Sequence, residues 1–121
     1  MKALVFLWTL LATTHLFAAT DLDATDVNKL IEMAGQDVSV VGIVQGVGST
    51  KTDSIRFINF SLAKKQGFTA VVFQRNYGAF PEGFETLKGK RLRITGKLEI
   101  YSGQQPQIEV RGPEQIEVLP E

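Results

Sequence analysis

Lys90-Arg91-Leu92-Arg93-Ile94-Thr95-Gly96-Lys97-Leu98-Glu99-Ile100-Tyr101 alternates apolar and polar residues around one central glycine, and this stretch decides the fold. Successive strand side chains point to opposite sides. Leu92, Ile94, Leu98 and Ile100 therefore share one face, and Arg91, Arg93, Thr95, Lys97 and Glu99 the other. Gly96 stands where the apolar series calls for another core residue, which predicts a sharp bend or a close backbone approach. Asp37 to Val47 supplies a second long strand, bent at Gly42. Val38, Val40 and Val44 on one side of it and Val41, Ile43 and Val47 on the other predict burial of both faces for part of its length. Long strands curved at glycines belong in a small closed barrel.

Working outward, Gly46 to Asp53 reads as a polar turn. It carries no complete dinucleotide fingerprint and precedes no helix, so no phosphate-cradling loop is expected. Ile55 to Phe60 and Phe68 to Gln74 read as the next two strands, joined by Ser61 to Gly67 with its Lys64-Lys65 pair, and make a meander with the first. Asn76 to Leu87 breaks the strand pattern with Gly78, Pro81 and Gly83. Tyr77, Phe80, Phe84 and Leu87 recur there at helical intervals, predicting a short irregular helical connection that plugs the barrel. A turn at Ser102-Gly103 and strands at Pro106 to Val110 and Gln115 to Leu119 follow. Upstream, Val27, Leu30, Ile31 and Ala34 mark a helix over Ala24 to Ala34, with Asp23 as its cap and Gly35 just beyond its end.

The expected architecture is mainly β: a five-stranded barrel with a short N-terminal helix and a short helical connection between strands 3 and 4. That element order is the one of the oligonucleotide/oligosaccharide-binding (OB) barrel. Residues 1–18 read as a secretory signal, with Met1-Lys2 as a positive start, an apolar run from Ala3 to Leu11 and small residues at Leu16-Phe17-Ala18-Ala19. Residues 19–35 form the N-terminal helical segment and 36–119 the barrel. The apolar run is far shorter than the roughly 20 residues that span a bilayer, so an exported protein, periplasmic or secreted and without a membrane anchor, is expected.

The chain has no cysteine and a single histidine, His15, inside the presumed signal. Disulfides, thiolate chemistry and Ser-His-Asp or Cys-His catalysis are excluded from the exported product, and a transition-metal site would need carboxylates alone. No cofactor is expected. Export at residue 18 leaves 103 residues, enough for one domain stabilised by its core.

The sequence resembles a group of small exported bacterial OB-fold domains. Gly42-Ile-Val44, Phe57-Ile-Asn-Phe60, Phe68-Thr-Ala-Val-Val-Phe73, Leu87 to Leu98, Tyr101-Ser-Gly103, Pro106 to Val110 and Pro113 to Val118 carry the resemblance. It covers about residues 36 to 119 and implies nucleic-acid binding, in domains found alone or beside others, some of them nucleases; some OB barrels also hydrolyse phosphodiesters. That chemistry needs two or three converging acids. The basic middle of the chain offers only Asp53, Glu82 and Glu85, so a non-enzymatic binding module is expected.

Charge is segregated although the whole chain is neutral. Lys51 to Lys97 holds ten basic residues against three acids, a net of +7, while residues 19–50 and 98–121 each net −4. In an OB barrel the second and third strands and their neighbouring loops form the usual binding face. Arg56, Lys64, Lys65 and Arg75 fall on those elements, interleaved with Phe57, Phe60, Phe68 and Phe73. Basic side chains for the phosphates and aromatic rings for the bases are what single-stranded DNA or RNA requires. The candidate nucleic-acid-binding set is Arg56, Phe57, Asn59, Lys64, Lys65, Phe73, Arg75, Arg93 and Tyr101. Competing readings stand beside it: phenylalanines in the core, Asn59 bonding to local structure, and basic residues of the long strand paired with Glu109 or Glu117. Tyr101 beside Gln104 and Gln105 suits a base or a sugar ring, and an exported module that binds an envelope protein or glycan is the alternative function.

Overall fold

The structure, a computed structural model, describes residues 21–63, 66–102 and 104–121. The signal read at residues 1–18 and the Lys64-Lys65 pair lie outside the described residues. The long strand is β6, Arg91–Tyr101; its Leu92, Ile94 and Leu98 are fully buried, as the alternation requires. Burying each such side chain contributes about 1.5–3 kcal/mol. Together with Val40, Ile58, Val72 and Ile108 they form the centre of one core.

The remaining strands are β1 (Asp21–Asp23), β2 (Asp37–Ile43), β3 (Gly46–Ser49), β4 (Ile55–Asn59), β5 (Thr69–Phe73), β7 (Gln105–Glu109) and β8 (Ile116–Val118). They make one mixed eight-stranded sheet in the order β1-β2-β6-β7-β5-β4-β3, with β8 on β6. This corrects the expected closed five-stranded barrel. The first long strand is interrupted at Val44-Gln45 into β2 and β3, and the short strands β1 and β8 add to the sheet. The path ends on β3, which is not laddered to β1 or β2. It is instead the direct chain continuation of β2: Val44 N–H donates to Lys90 O and Gln45 N–H to Asn59 O. One run of chain thus feeds both halves of the sheet. β6 serves both halves as well, pairing with β2 through Arg91–Lys97 and with β7 through Leu98–Tyr101.

Two glycines permit this curvature. A Cβ on Gly96 would lie 2.7 Å from Ile108 Cγ2 and 2.9 Å from Gln115 Nε2, and one on Gly42 would lie 2.6 Å from Ala24 Cβ. Both positions are close approaches, where a larger residue forces its neighbours to shift.

The N-terminal segment departs from expectation. Helix α1 spans Val27–Glu32, capped by Asp26, whose carboxylate accepts from Lys29 N–H. Asp23 instead ends β1 and accepts from both the backbone and the hydroxyl of Thr25, which hold its pKa below the usual aspartate value. β1 runs parallel to β2, a pairing too short to show as a pattern. The helical connection is two 3-10 helices, Gln74–Ala79 and Glu85–Leu87. Phe84 is buried there, with Tyr77, Phe80 and Leu87 packed against the core, as a plug would be. Among the described residues no helix is long and apolar enough to cross a membrane.

Candidate nucleic-acid interface

Ile58, Ala70, Val72 and Ile108 point into the core, which fixes the parity of β4, β5 and β7. The opposite parity forms an outer face. Ladder partners share a face, so Ile55 stands with Phe73, Phe57 with Val71 and Glu109, and Asn59 with Thr69 and Gln107. On the β3 side, Gly48 is opposite Phe57 and Gly46 opposite Asn59, so no side chain rises beside the aromatic ring on that flank. Phe57 and Phe73, diagonal neighbours, are half-buried on this face. Phe60 and Phe68 are core residues whose rings pack 5.2 Å apart.

Both ends of the face are held by polar groups. At the β3–β4 turn, Arg56 donates to both carboxylate oxygens of Asp53, at 3.0 and 2.8 Å, and its guanidinium lies 4.1 Å from the Tyr77 ring centre. The Tyr77 hydroxyl donates to the Asp53 carbonyl at 2.9 Å. The Arg56 hydrogen bond holds the Asp53 carboxyl below the usual aspartate value, and burial pushes the Tyr77 phenol up. Arg56 thus locks the turn and has little charge left to offer. At the opposite end, Thr69 donates to Asn59 Oδ1 at 2.8 Å, so Asn59 braces β4 against β5.

Beside Phe73 the balance differs. Arg75 lies with its guanidinium carbon 5.0 Å from the Phe73 ring centre and donates to Glu109 at 3.2 Å. Arg111 donates to the same carboxylate through Nε and Nη2, at 3.2 and 3.1 Å. Sequence reasoning did not single out Arg111. The signal was available: once Ile108 is assigned to the core, Gln107, Glu109 and Arg111 fall on one side by alternation.

Arg93 is placed apart from the other candidates. It sits on the other half of the sheet and donates to both oxygens of Asp21, at 3.0 and 2.9 Å, and to Glu117 at 2.6 Å. These carboxylates raise its pKa further above the ordinary guanidinium value. It is doubly neutralised and remote from Phe57 and Phe73, as the competing pairing with Glu117 anticipated. Tyr101, 60% exposed, ends β6 opposite Gln105, at the Asn59 end of the face. Off the face, an open cleft of about 550 Å³ lies between Ala24-Thr25 and the Ser61, Gln66 and Gln104 loops. Among the described residues no three His, Cys, Asp or Glu side chains gather as a metal site would require.

No protein-family model and no curated protein matches the chain. Among solved structures, the chain is similar to part of an aspartyl tRNA synthetase from Entamoeba histolytica, with TM-score 0.51 and 19% identity over 80% of this chain and 21% of that one. It is also similar to part of an asparaginyl-tRNA synthetase from the same organism, in complex with asparaginyl-adenylate, with TM-score 0.53 and 17% identity over 84% of this chain and 24% of that one. The likeness is one of fold. The chain spans only about a fifth to a quarter of those synthetases, and its own architecture is mainly β and OB-like.

Proposed function

We propose that the chain is a non-enzymatic module of an exported protein that binds single-stranded nucleic acid on the outer face of β4 and β5. The observation that carries this reading is the half-buried Phe57 and Phe73 pair, turned away from the core, with the Arg75 guanidinium beside Phe73. Flat rings stack bases of any sequence, and basic groups alongside track the phosphates. The fold shared with parts of two tRNA synthetases supports the reading by analogy only. Export rests on the residue pattern of Met1 to Ala19.

Within this reading Phe57 and Phe73 are the stacking platforms, and Arg75 supplies charge. Lys64 and Lys65, outside the described residues, remain candidates from the sequence. Arg56 and Asn59 shape the face, and Tyr101 borders it. The test is anisotropy of a fluorescein-labelled oligothymidylate. Log affinity falls with log salt by about 0.7 per phosphate contacted. Phe57→Ala and Phe73→Ala each cost about 1–3 kcal/mol of binding, the value of one stacked base. Absence of binding at low salt overturns the reading.

The open cleft at Thr25, Gln66 and Gln104 favours a second reading, an envelope glycan or protein held there, beside the turn in which Gln104 N–H donates to Tyr101 O. Its test is co-sedimentation with cell-wall polysaccharide, which Gln104→Ala and Tyr101→Ala reduce and Phe57→Ala leaves unchanged.

A further inference from the structure

Three arginine clusters hold all the ion pairs found among the described residues, and their stoichiometry differs. Arg56 has one acid, Asp53, and Arg93 has two, Asp21 and Glu117. Only at Glu109 do two arginines share one carboxylate. The exposures follow the same division. The Glu109 side chain is 18% exposed, whereas those of Arg75 and Arg111 are 67% and 70% exposed. The carboxylate lies beneath and the two guanidinium groups stand above it in solvent.

Each guanidinium carries five N–H donors. Arg75 directs one nitrogen, and Arg111 two, at Glu109, which leaves donors of both facing outward. Their backbone support is rigid. Gln115 accepts from Arg111 N–H at 2.7 Å and donates to Glu109 O at 3.0 Å and Thr95 O at 2.9 Å, while Val110 N–H donates to Val71 O. The strand that presents Glu109 and Arg111 is thus tied on both sides, and binding an anion there requires little ordering of the backbone.

We propose that Arg75 and Arg111 form a phosphodiester site in which Glu109 occupies, in the free protein, part of the donor set that a phosphate oxygen takes on binding. Planar guanidinium groups match phosphate oxygens as they match carboxylate oxygens, so the internal carboxylate is a stand-in for the ligand. The site carries a net charge of +1, and Arg75 connects it to the Phe73 ring. A strand whose base stacks on Phe73 therefore passes its phosphate over this pair. Glu109 lowers the affinity for polyanions by competing for the donors and by repelling the incoming charge. The inference rests on the reading of the outer face given above.

The experiment compares the wild-type chain with Glu109→Gln and Arg111→Gln for binding of fluorescein-labelled oligothymidylate across a salt series, with inorganic phosphate as a competitor. Glu109→Gln removes the competing charge and keeps an oxygen for the arginines. It tightens binding about three- to tenfold, as removal of an unfavourable charge at an interface does. Arg111→Gln weakens binding and lowers the salt slope by about 0.7, the loss of one phosphate contact. Millimolar inorganic phosphate weakens oligonucleotide binding by Glu109→Gln more than by Arg111→Gln. Unchanged or weaker binding by Glu109→Gln, with wild-type binding intact and thermal unfolding showing both variants folded, overturns the inference alone. Absence of wild-type binding overturns the reading of the face, and the inference falls with it.

Discussion

Around Arg93, one guanidinium faces two carboxylates; around Glu109, one carboxylate faces two guanidinium groups. The first cluster ties β1 and β8 to β6 across one half of the sheet. Its arginine is only 28% exposed, and each of its three guanidinium nitrogens donates to a carboxylate. The second lies beside the aromatic residues of the other half, and its arginines are mostly in water. The same ionic chemistry therefore serves two purposes, and the ratio of charges separates them. A cation outnumbered by acids fastens strands. Cations that outnumber an acid remain available to an anion from outside.

The two clusters meet through β6, and the largest effect is expected where that strand passes between them. Gly96→Val places methyl groups against Ile108 and the Gln115 amide, which themselves support Glu109 and Arg111. Overpacking of this kind costs about 1–3 kcal/mol, read as a lower denaturation midpoint, and oligonucleotide affinity falls with it. Full stability in this variant would show that the two halves of the sheet are not coupled at Gly96.

Arg93→Ala comes next. It leaves Asp21 and Glu117 facing each other without their cation, and the loss is about 1 kcal/mol because both acids keep access to water. Thermal unfolding reads that loss, and oligothymidylate binding at a temperature where the variant is folded stays within twofold of wild type. A large loss of binding would return Arg93 to the interface and erase the distinction between the clusters.

The smallest effect belongs to Asp53, whose carboxyl is held below the ordinary value of 3.8 chiefly by the Arg56 hydrogen bond. A depressed aspartate stabilises the fold at pH above its unfolded value, and the contribution is lost as pH falls through the folded value. The difference in melting temperature between wild type and Asp53→Asn is therefore constant above about pH 5 and shrinks below pH 3.8. Asparagine suits this comparison because residue 53 has φ +54°, a conformation it tolerates. A difference that grows on acidification would contradict the role assigned to the Arg56 pair.

The legibility of these features follows their physics. β6 was readable because only one of its faces is apolar, so alternation assigns every side chain. β4 was not readable in the same way: Ile55 and Phe57 on one parity compete with Ile58 and Phe60 on the other, and the ladder to β5 decides which pair is inside. Charge segregation placed the cations in the middle of the chain but said nothing of their partners. Asp21 lies 72 residues from Arg93, in a three-residue strand with no pattern to detect. The interruption at Val44-Gln45 was equally hidden, because a valine-rich run looks continuous until each half meets a different neighbour. The signal-peptide reading and the lysine pair concern residues outside those described, and they stand as expectations.

The passage of β2 directly into β3 has a consequence for how fast the chain reaches this state. Its first half pairs with residues near 94 and its second with residues near 58, so no local hairpin satisfies the whole run. Loop closure across the 54 positions separating Val40 from Ile94 must precede that pairing, and such topologies fold in milliseconds to seconds rather than microseconds. Until that step, Val38, Val40 and Val41 lack their β6 partners, and the interval before closure is when this apolar segment is most exposed to self-association.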